Sequence, residues 1–417
     1  MAICGIDFGT SNSTCGMVCD GAPRLLALDD GKTTLPSVLF YDFEAESIHF
    51  GRAALDEYVV GTEGRLLRSL KSVLGTALMD AETEIQHRRI GFRQILATFL
   101  AELKRRAELA AGEPLRQVVL GRPVQFVDDD SAADKRAEQT LAEIAASVGF
   151  SELAFLPEPI AAAFDYEQQV VAEELVLIVD IGGGTSDFSL IRLAPGRQHA
   201  HDRRSDILAN AGIHIGGTDF DRLLSLREVM PMLGMGGQMR NKPIEVPASY
   251  YHLLSTWHTI NFLYERKLRG ELDAVWADAA DRAAFGRLLH VVDERSGHRL
   301  AMAVESAKID CCVDGRGLLV LDMVETGLEK TLLLAQFETA VEEAIGRIAA
   351  TVAGLCADAG VKPDHIATLF VTGGASGVPQ LMQAIRAQVP NARLVEGDRF
   401  GSVGTGLALA AQRLFGR

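Results

Sequence analysis

The sequence contains one supersecondary pattern twice, and this repeat constrains the fold more strongly than any other feature. An apolar strand ends in an aspartate, a turn rich in glycine, serine and threonine follows, and a second strand returns. The pattern reads D-F-G-T-S-N-S at residues 7–13 and D-I-G-G-G-T-S-D at residues 180–187. Because repetition of a whole unit indicates an internal duplication, we predict an α/β protein with two similar lobes, each led by a β-hairpin.

The length of 417 residues exceeds what one compact core usually holds, so more than one domain is expected. Strand and helix patterns predict a first lobe over residues 1–172 and a second lobe over residues 173–375. The second lobe would carry a helical insertion near residues 229–300, and a C-terminal segment, 376–417, would return to the first lobe.

The charge balance bears on the partners of the chain. Lys and Arg number 41 and Asp and Glu number 56, so the net charge is −15, which argues against nucleic acid and anionic membranes as partners. A nucleotide remains compatible with this charge, because backbone N–H groups and a metal usually hold its phosphates. The N-terminus has no signal-peptide pattern and the apolar runs are too short to span a bilayer, so we expect a cytoplasmic protein.

The first of the two turns has the composition of a phosphate-binding hairpin. Asp7 ends a buried strand and needs a partner, for which hydrated Mg²⁺ is suitable. Gly9 allows close approach of the backbone to a phosphate, and Thr10, Ser11 and Asn12 offer hydrogen-bond donors. An ordinary Asp–Gly hairpin turn is the alternative for this motif taken alone.

The second turn is more specific, since Gly182, Gly183 and Gly184 follow directly after the strand that ends in Asp180. Each glycine loses conformational entropy on folding. Close approach of backbone N–H groups to an anion would explain why three glycines occur together here. Thr185 and Asp187 would point into the same crevice. Two such hairpins facing each other would clamp one triphosphate, an arrangement that suits phosphoryl transfer.

A third glycine-rich element, T-G-G-A-S-G at residues 372–377, follows a strand and opens a helix. A helix N-terminus of this kind can pack on adenosine or phosphate. The chain has neither a Walker A motif nor the Rossmann fingerprint in its first turn.

Taken together, the motifs resemble a known family. The motifs I-D-F-G-T-S-N-S, E-P-I-A-A-A, V-D-I-G-G-G-T-S-D, G-I-H-I-G-G-T-D-F-D, V-E-S-A-K and V-T-G-G-A-S-G-V-P occur in that order. They are similar to the ATPase domain of heat-shock-70 (DnaK-type) chaperones, in the actin-like ATPase clan. V-L-G-R-P-V-Q-F at residues 119–126 and the segment near 229–300 resemble the short YegD-type branch. The resemblance implies duplicated ribonuclease H-like lobes around a central nucleotide cleft.

The resemblance also implies roles for individual residues. The catalytic positions would be Asp7, Glu158, Asp180 and Thr185. Asp7 and Asp180 would hold the water shell of Mg²⁺, and Asp187 would lie near a monovalent cation such as K⁺. The positions that bind ATP or ADP would be Gly9, Thr10, Ser11, Asn12, Gly182, Gly183, Gly184, Asp187, Gly216, Gly217, Glu305, Lys308, Gly373, Gly374 and Ala375. A helix cap for Glu158, and a solvated surface pair for Glu305 and Lys308, are the alternatives.

The sequence departs from the family at three places. The catalytic lysine of the family follows a G-x-A-A segment, whereas Leu55 follows that segment here; Arg52, Arg68 and Lys71 are candidate substitutes. On the adenosine side, Ile309, Cys312, Ala375 and Gly377 replace the usual Arg, Ser, Ser and Arg. The sequence ends at residue 417, so we also expect the peptide-binding domain to be absent.

These observations predict a chaperone-like protein that binds Mg-ATP between two lobes and hydrolyses it slowly to ADP. A co-chaperone or a client protein would bind at an unknown surface. Leu55 motivates an alternative, a nucleotide-dependent switch or scaffold without turnover. A small-molecule kinase of the same clan and a filament-forming actin-like protein are further alternatives.

Overall fold

The structure, a computed structural model, describes residues 2–86, 88–197 and 203–416. The strands are β1 Ala2–Phe8, β2 Asn12–Cys19, β3 Ala22–Leu25, β4 Thr34–Pro36, β5 Val38–Asp42, β6 Ser47–Phe50, β7 Gly64–Arg68, β8 Glu82–Ile85, β9 Arg88–Gly91, β10 Leu115–Arg122, β11 Glu152–Pro157, β12 Glu174–Ile181, β13 Ser186–Leu193, β14 Ile207–Ile213, β15 Arg316–Val320, β16 Glu329–Leu333, β17 Thr368–Thr372 and β18 Arg393–Glu396.

The α-helices are α1 Arg52–Val60, α2 Phe92–Ala111, α3 Ser131–Ser147, α4 Glu158–Tyr166, α5 Gly217–Glu228, α6 Ser249–Leu254, α7 Arg266–Asp278, α8 Arg282–Asp293, α9 Gly297–Asp314, α10 Leu334–Asp358, α11 Pro379–Gln388 and α12 Ser402–Phe415. Short 3-10 helices span Leu70–Val73, Ala77–Asp80, Glu167–Gln169, Pro195–Arg197, Arg204–Asp206, Met230–Leu233, Ile260–Tyr264, Pro363–His365 and Gly374–Gly377.

The chain divides into two compact units. One contains the residues up to Gly217 together with those from Gly346 onward, and the other is Thr218–Ile345. The predicted lobe boundaries at residues 172 and 375 stay a prediction, because they concern a different division of the chain.

The first unit contains two large sheets with the same topology. In one sheet the strand order is β3-β2-β1-β10-β11, with β4 also paired to β2; in the other it is β14-β13-β12-β17-β18. In both, the leading strand pairs antiparallel with the strand that follows it and parallel with a later strand. This repeated topology agrees with the predicted duplication, and the predicted α/β fold class is confirmed.

Two helices, α4 and α12, pack together in the first unit, and this packing fixes the start of α4. The motif E-P-I-A-A-A supplies small residues there, and Ala161, Ala162 and Ala163 are fully buried. The helices approach so closely that a Cβ atom on Gly406 of α12 would overlap the carbonyl oxygen of Ala161. The apolar core beneath them includes Phe370 of β17. Close packing of this kind tolerates little change in volume.

The second unit is mainly helical, with one antiparallel hairpin formed by β15 and β16. Helices α6, α7 and α8 lie within residues 229–300, where the sequence predicts helical structure. Large side chains such as Tyr251 and Phe285 are fully buried there, so the unit has an apolar core of its own. Among the residues that the structure describes, no helix combines the length and apolar character needed to cross a membrane.

Candidate functional site

Four carboxyl groups come together at the ends of the strands of the first unit. Asp7 lies near the end of β1, Asp180 near the end of β12, and Asp187 on β13, in register with Asp180. Glu158 is the first residue of α4, directly after β11. Since β1, β10 and β11 run parallel, their carboxyl ends meet at one edge of the sheet, where ligands of open α/β sheets usually bind.

Lys71 lies among these carboxyl groups. The side chain of Lys71 is 7% exposed, and its Nζ donates a hydrogen bond to Oε1 of Glu158, whose side chain is 9% exposed. The lysine belongs to the short 3-10 helix Leu70–Val73, and the residue before that helix, Ser69, adopts a left-handed conformation with φ 59°. This turn places the buried ammonium group of Lys71 beside Glu158, which is 87 positions away in the sequence.

The electrostatics of the cluster follow from burial and from an excess of carboxyl groups. Burial, together with the charge of Glu158, raises the pKa of Asp7 and that of Asp187 from 3.8 to about 7. Burial and the charges of Glu158, Asp187 and Asp7 raise the pKa of Asp180 well above its ordinary value. Burial alone would lower the pKa of Lys71, but the carboxylates of Glu158 and Asp7 raise it. Perturbed groups of this kind cluster at functional sites.

The composition of the cluster fits a cation. One ammonium group faces four carboxyl groups, so the ionised cluster would carry uncompensated negative charge in a buried place. Among the described residues, no group of three or more His, Cys, Asp or Glu side chains is arranged to ligate a metal directly. A bound cation would offset that negative charge.

The two aspartate hairpins are in contact through their turns. A Cβ atom on Gly183 would overlap Oγ of Ser11, and one on Gly184 would lie 2.9 Å from Oγ1 of Thr10. Within the first turn, a Cβ atom on Gly9 would overlap the carbonyl oxygen of Asn12. A Cβ atom at 183 would therefore displace the hydroxyl of Ser11 where the hairpins meet.

Two further predicted loops adjoin the second hairpin. The N–H of Gly217 donates to the carbonyl of Gly182 at 3.0 Å, and a Cβ atom on Gly216 would lie 2.6 Å from the carbonyl carbon of Gly183. A Cβ atom on Gly217 would in turn lie 3.5 Å from Cβ of Ala375. The four predicted glycine-bearing elements of the first unit therefore form one continuous surface.

The glycine-rich turn after β17 is held close to the strand that carries Asp180. Thr372 is in register with Asp180, and Gly373 follows with φ 87°. A Cβ atom on Gly373 would overlap the carbonyl oxygen of Ile181. Both the backbone conformation and the close approach require glycine here.

Two hydrogen-bond donors hold the carboxylate of Asp187, and the sequence patterns indicate only one of them. Thr185 donates a side-chain hydrogen bond that lowers the pKa of Asp187 against the larger effects of burial and Glu158. The N–H of Val124 donates to Oδ1 of Asp187 at 2.6 Å. Val124 lies in the segment V-L-G-R-P-V-Q-F. This segment contacts the site through a backbone N–H group, which every residue except proline has, so the sequence does not indicate the contact.

Glu305 and Lys308 lie on α9 in the second unit. Nζ of Lys308 is 2.7 Å from Oδ1 of Asp221, and the lysine side chain is buried. Lys308 is therefore not the solvated surface group of the alternative interpretation. The adenosine clamp formed by Glu305 and Lys308 stays a prediction.

The structure shows what surrounds Leu55 and two of the candidate substitutes, while the replacement of the family's lysine by Leu55 stays a prediction. Leu55 lies on α1 and packs against a small core that includes Val38 and Phe40. Arg52 is hydrogen-bonded to Asp29. Lys71, one of the three candidate substitutes, is the residue that reaches the carboxyl groups. A lysine within the apolar run L-K-S-V-L was the available signal for a buried partner.

A comparison with protein families identifies the family of this chain from its sequence. The family model described as "Hsp70 protein" matches residues 3–228, which is more than half of the chain. The matched part contains both aspartate hairpins, Lys71, Glu158 and the Gly216–Gly217 loop. A match of this extent shows that the chain belongs to the Hsp70 family and carries an ATP-binding domain of the actin-like ATPase type.

Proposed function

We propose that this protein binds Mg-ATP at the two aspartate hairpins and hydrolyses it slowly to ADP and phosphate. The observation that carries the proposal is the buried Lys71–Glu158 pair among three aspartates of raised pKa. A buried ammonium and a buried carboxylate held together beside a glycine-rich phosphate loop are suited to positioning and charge stabilisation, which phosphoryl transfer needs.

Each group has a task in the proposed reaction. The backbone N–H groups of the glycine turns bind the phosphates, while Asp7 and Asp180 accept hydrogen bonds from the waters of the magnesium ion. When bound, the ion would supply positive charge against the phosphates. Asp187 contributes to a site for a monovalent cation such as K⁺, and Thr185 lies beside the terminal phosphate.

Lys71 and Glu158 act on the attacking water and on the phosphate. Glu158 orients the water, and Lys71 stabilises negative charge on the terminal phosphoryl group. Oxygen of water bonds to the terminal phosphorus, and the bond to the bridging oxygen breaks with its electron pair left on ADP. One proton of the water stays on inorganic phosphate and the other passes to solvent. The position of Lys71 favours turnover over a non-hydrolysing switch, because the proposed replacement of the lysine by Leu55 was the reason for that alternative.

Family membership supports a co-chaperone or a client protein as the macromolecular partner. The proposal includes a cytoplasmic location.

Calorimetry and single-turnover hydrolysis test the proposed function. ATP and ADP should bind in the presence of Mg²⁺ and bind more weakly after chelation. Lys71→Met should lower single-turnover hydrolysis by about 100-fold or more, the usual effect of removing one charge-stabilising donor. Lys135→Met, on the exposed face of α3, is the matched control. Absence of adenine nucleotide binding at millimolar ligand would refute the proposal.

A further inference from the structure

An exposed aromatic ring lies directly on the glycine-rich turn after β17. Phe400 belongs to the loop between β18 and α12, and its ring carbon Cε1 lies 3.1 Å from the position that a Cβ atom on Gly374 would take. The side chain is 48% exposed. Among the phenylalanines that the structure describes, Phe400 is the one with an exposed side chain.

A guanidinium group lies on the same turn. Nη1 of Arg399 is 3.1 Å from the position that a Cβ atom on Gly377 would take. The family resemblance implied a loss of contacts here, since Gly377 stands where arginine is common. The loop before α12 thus brings a different arginine to the position where a side chain of residue 377 would begin.

The ring is linked to the phosphate hairpins by a series of close contacts between neighbouring turns. The turn against which the Phe400 ring lies includes Ala375, whose Cβ is 3.5 Å from the Cβ position of Gly217. Gly217 accompanies Gly216, which adjoins Gly183 of the second hairpin. A ligand whose phosphates lie at the hairpins would therefore have its other end directed along this surface toward the ring.

We infer that Phe400 and Arg399 form the face on which the nucleobase is bound, with the base stacked on the ring of Phe400. This inference rests on the proposed function. Aromatic stacking suits every base, because each base presents a π-face, and a neighbouring guanidinium adds a cation–π contribution. Residues 399 and 400 lie outside residues 3–228, the stretch that matches the family model.

Calorimetry with two ligands separates stacking from phosphate binding. Phe400→Ala should weaken Mg-ADP binding by about 5- to 150-fold, the equivalent of about 1–3 kcal/mol for stacking of one base. Binding of magnesium tripolyphosphate, which has no base, should stay within about twofold of the wild-type value. Phe400→Tyr keeps the ring and should retain Mg-ADP affinity. Leu414→Ala is the matched control, since Leu414 is also 48% exposed and lies in the same unit.

The outcomes are distinguishable. If the wild-type protein binds neither Mg-ADP nor tripolyphosphate, the proposed function and this inference both fail. If the wild-type protein binds Mg-ADP and Phe400→Ala binds it as tightly as Leu414→Ala does, the inference is overturned and the proposed function stands. Equal weakening of both ligands by Phe400→Ala, or a loss of Mg-ADP binding in Phe400→Tyr, also overturns it, because either result assigns the ring a structural role.

Discussion

Replacement of Asp7 by asparagine should stabilise the ligand-free protein at high pH and leave its stability nearly unchanged at low pH. In the folded protein, burial and the charge of Glu158 raise the pKa of Asp7 from 3.8 to about 7. Between these two values the folded state binds more protons than the unfolded state, so the free energy of unfolding falls as pH rises. Above about pH 7 the carboxyl group is ionised in both states and the loss is complete.

The magnitude follows from the same pKa values. The difference between 3.8 and about 7, at 1.36 kcal/mol for each pKa unit, sets an upper limit of about 4 kcal/mol. Asp7 keeps some contact with solvent, which screens its charge, so we expect Asp7→Asn to raise the free energy of unfolding by about 1–3 kcal/mol at pH 8. At pH 4 the expected gain is near zero, because the aspartate is then protonated in the folded state.

Urea denaturation of the magnesium-free, nucleotide-free protein at pH 4 and pH 8 measures both effects. Asp80→Asn, at an exposed aspartate, is the control and should change little at either pH. A destabilised Asp7→Asn variant at pH 8, or a gain that is equal at the two pH values, would show that Asp7 does not experience the repulsion described. The same variant should lose the magnesium dependence of nucleotide binding, because Asp7 is proposed to hold the water shell of the ion. A gain in stability that accompanies a loss of function is common for functional residues.

Two further predictions concern packing and buried charge. Gly183→Ala should lower the free energy of unfolding by about 1–3 kcal/mol, because its Cβ would overlap Oγ of Ser11; Gly354→Ala, in open space on α10, should raise it by up to about 1 kcal/mol. Urea denaturation tests both, and equal effects would contradict the contact between the hairpins. Arg203→Met should cost about 3–5 kcal/mol, since it leaves Glu167, held at 2.6 and 2.8 Å by the guanidinium, buried without its main partner. A loss below about 1 kcal/mol in the same assay would argue against a buried ion pair.

The aspartate hairpins were predictable from the sequence because their chemistry is local. A strand that ends in Asp7 or Asp180 and runs into glycine specifies its own turn, and the repeated order of motifs then predicts the shared topology of the two sheets.

The position of Lys71 was not predictable in the same way. It depends on a left-handed residue at Ser69 and on pairing with a residue far along the chain, and counting from the G-x-A-A segment leads to Leu55 instead. Phe400 was missed for a similar reason, since its contact with Gly374 arises from the course of the loop before α12. Contacts between distant segments carry no signature in either segment alone.

The contact between Ala161 and Gly406 has a mechanical consequence. With backbone nearly against backbone, α4 has no intervening side chain that could change rotamer and let the helix slide along α12. The backbone at the start of α4 is thereby fixed by main-chain contact, and the carboxylate of Glu158 is held by its hydrogen bond from Lys71. We therefore expect α4 and α12 to move together in any displacement of this end of α4.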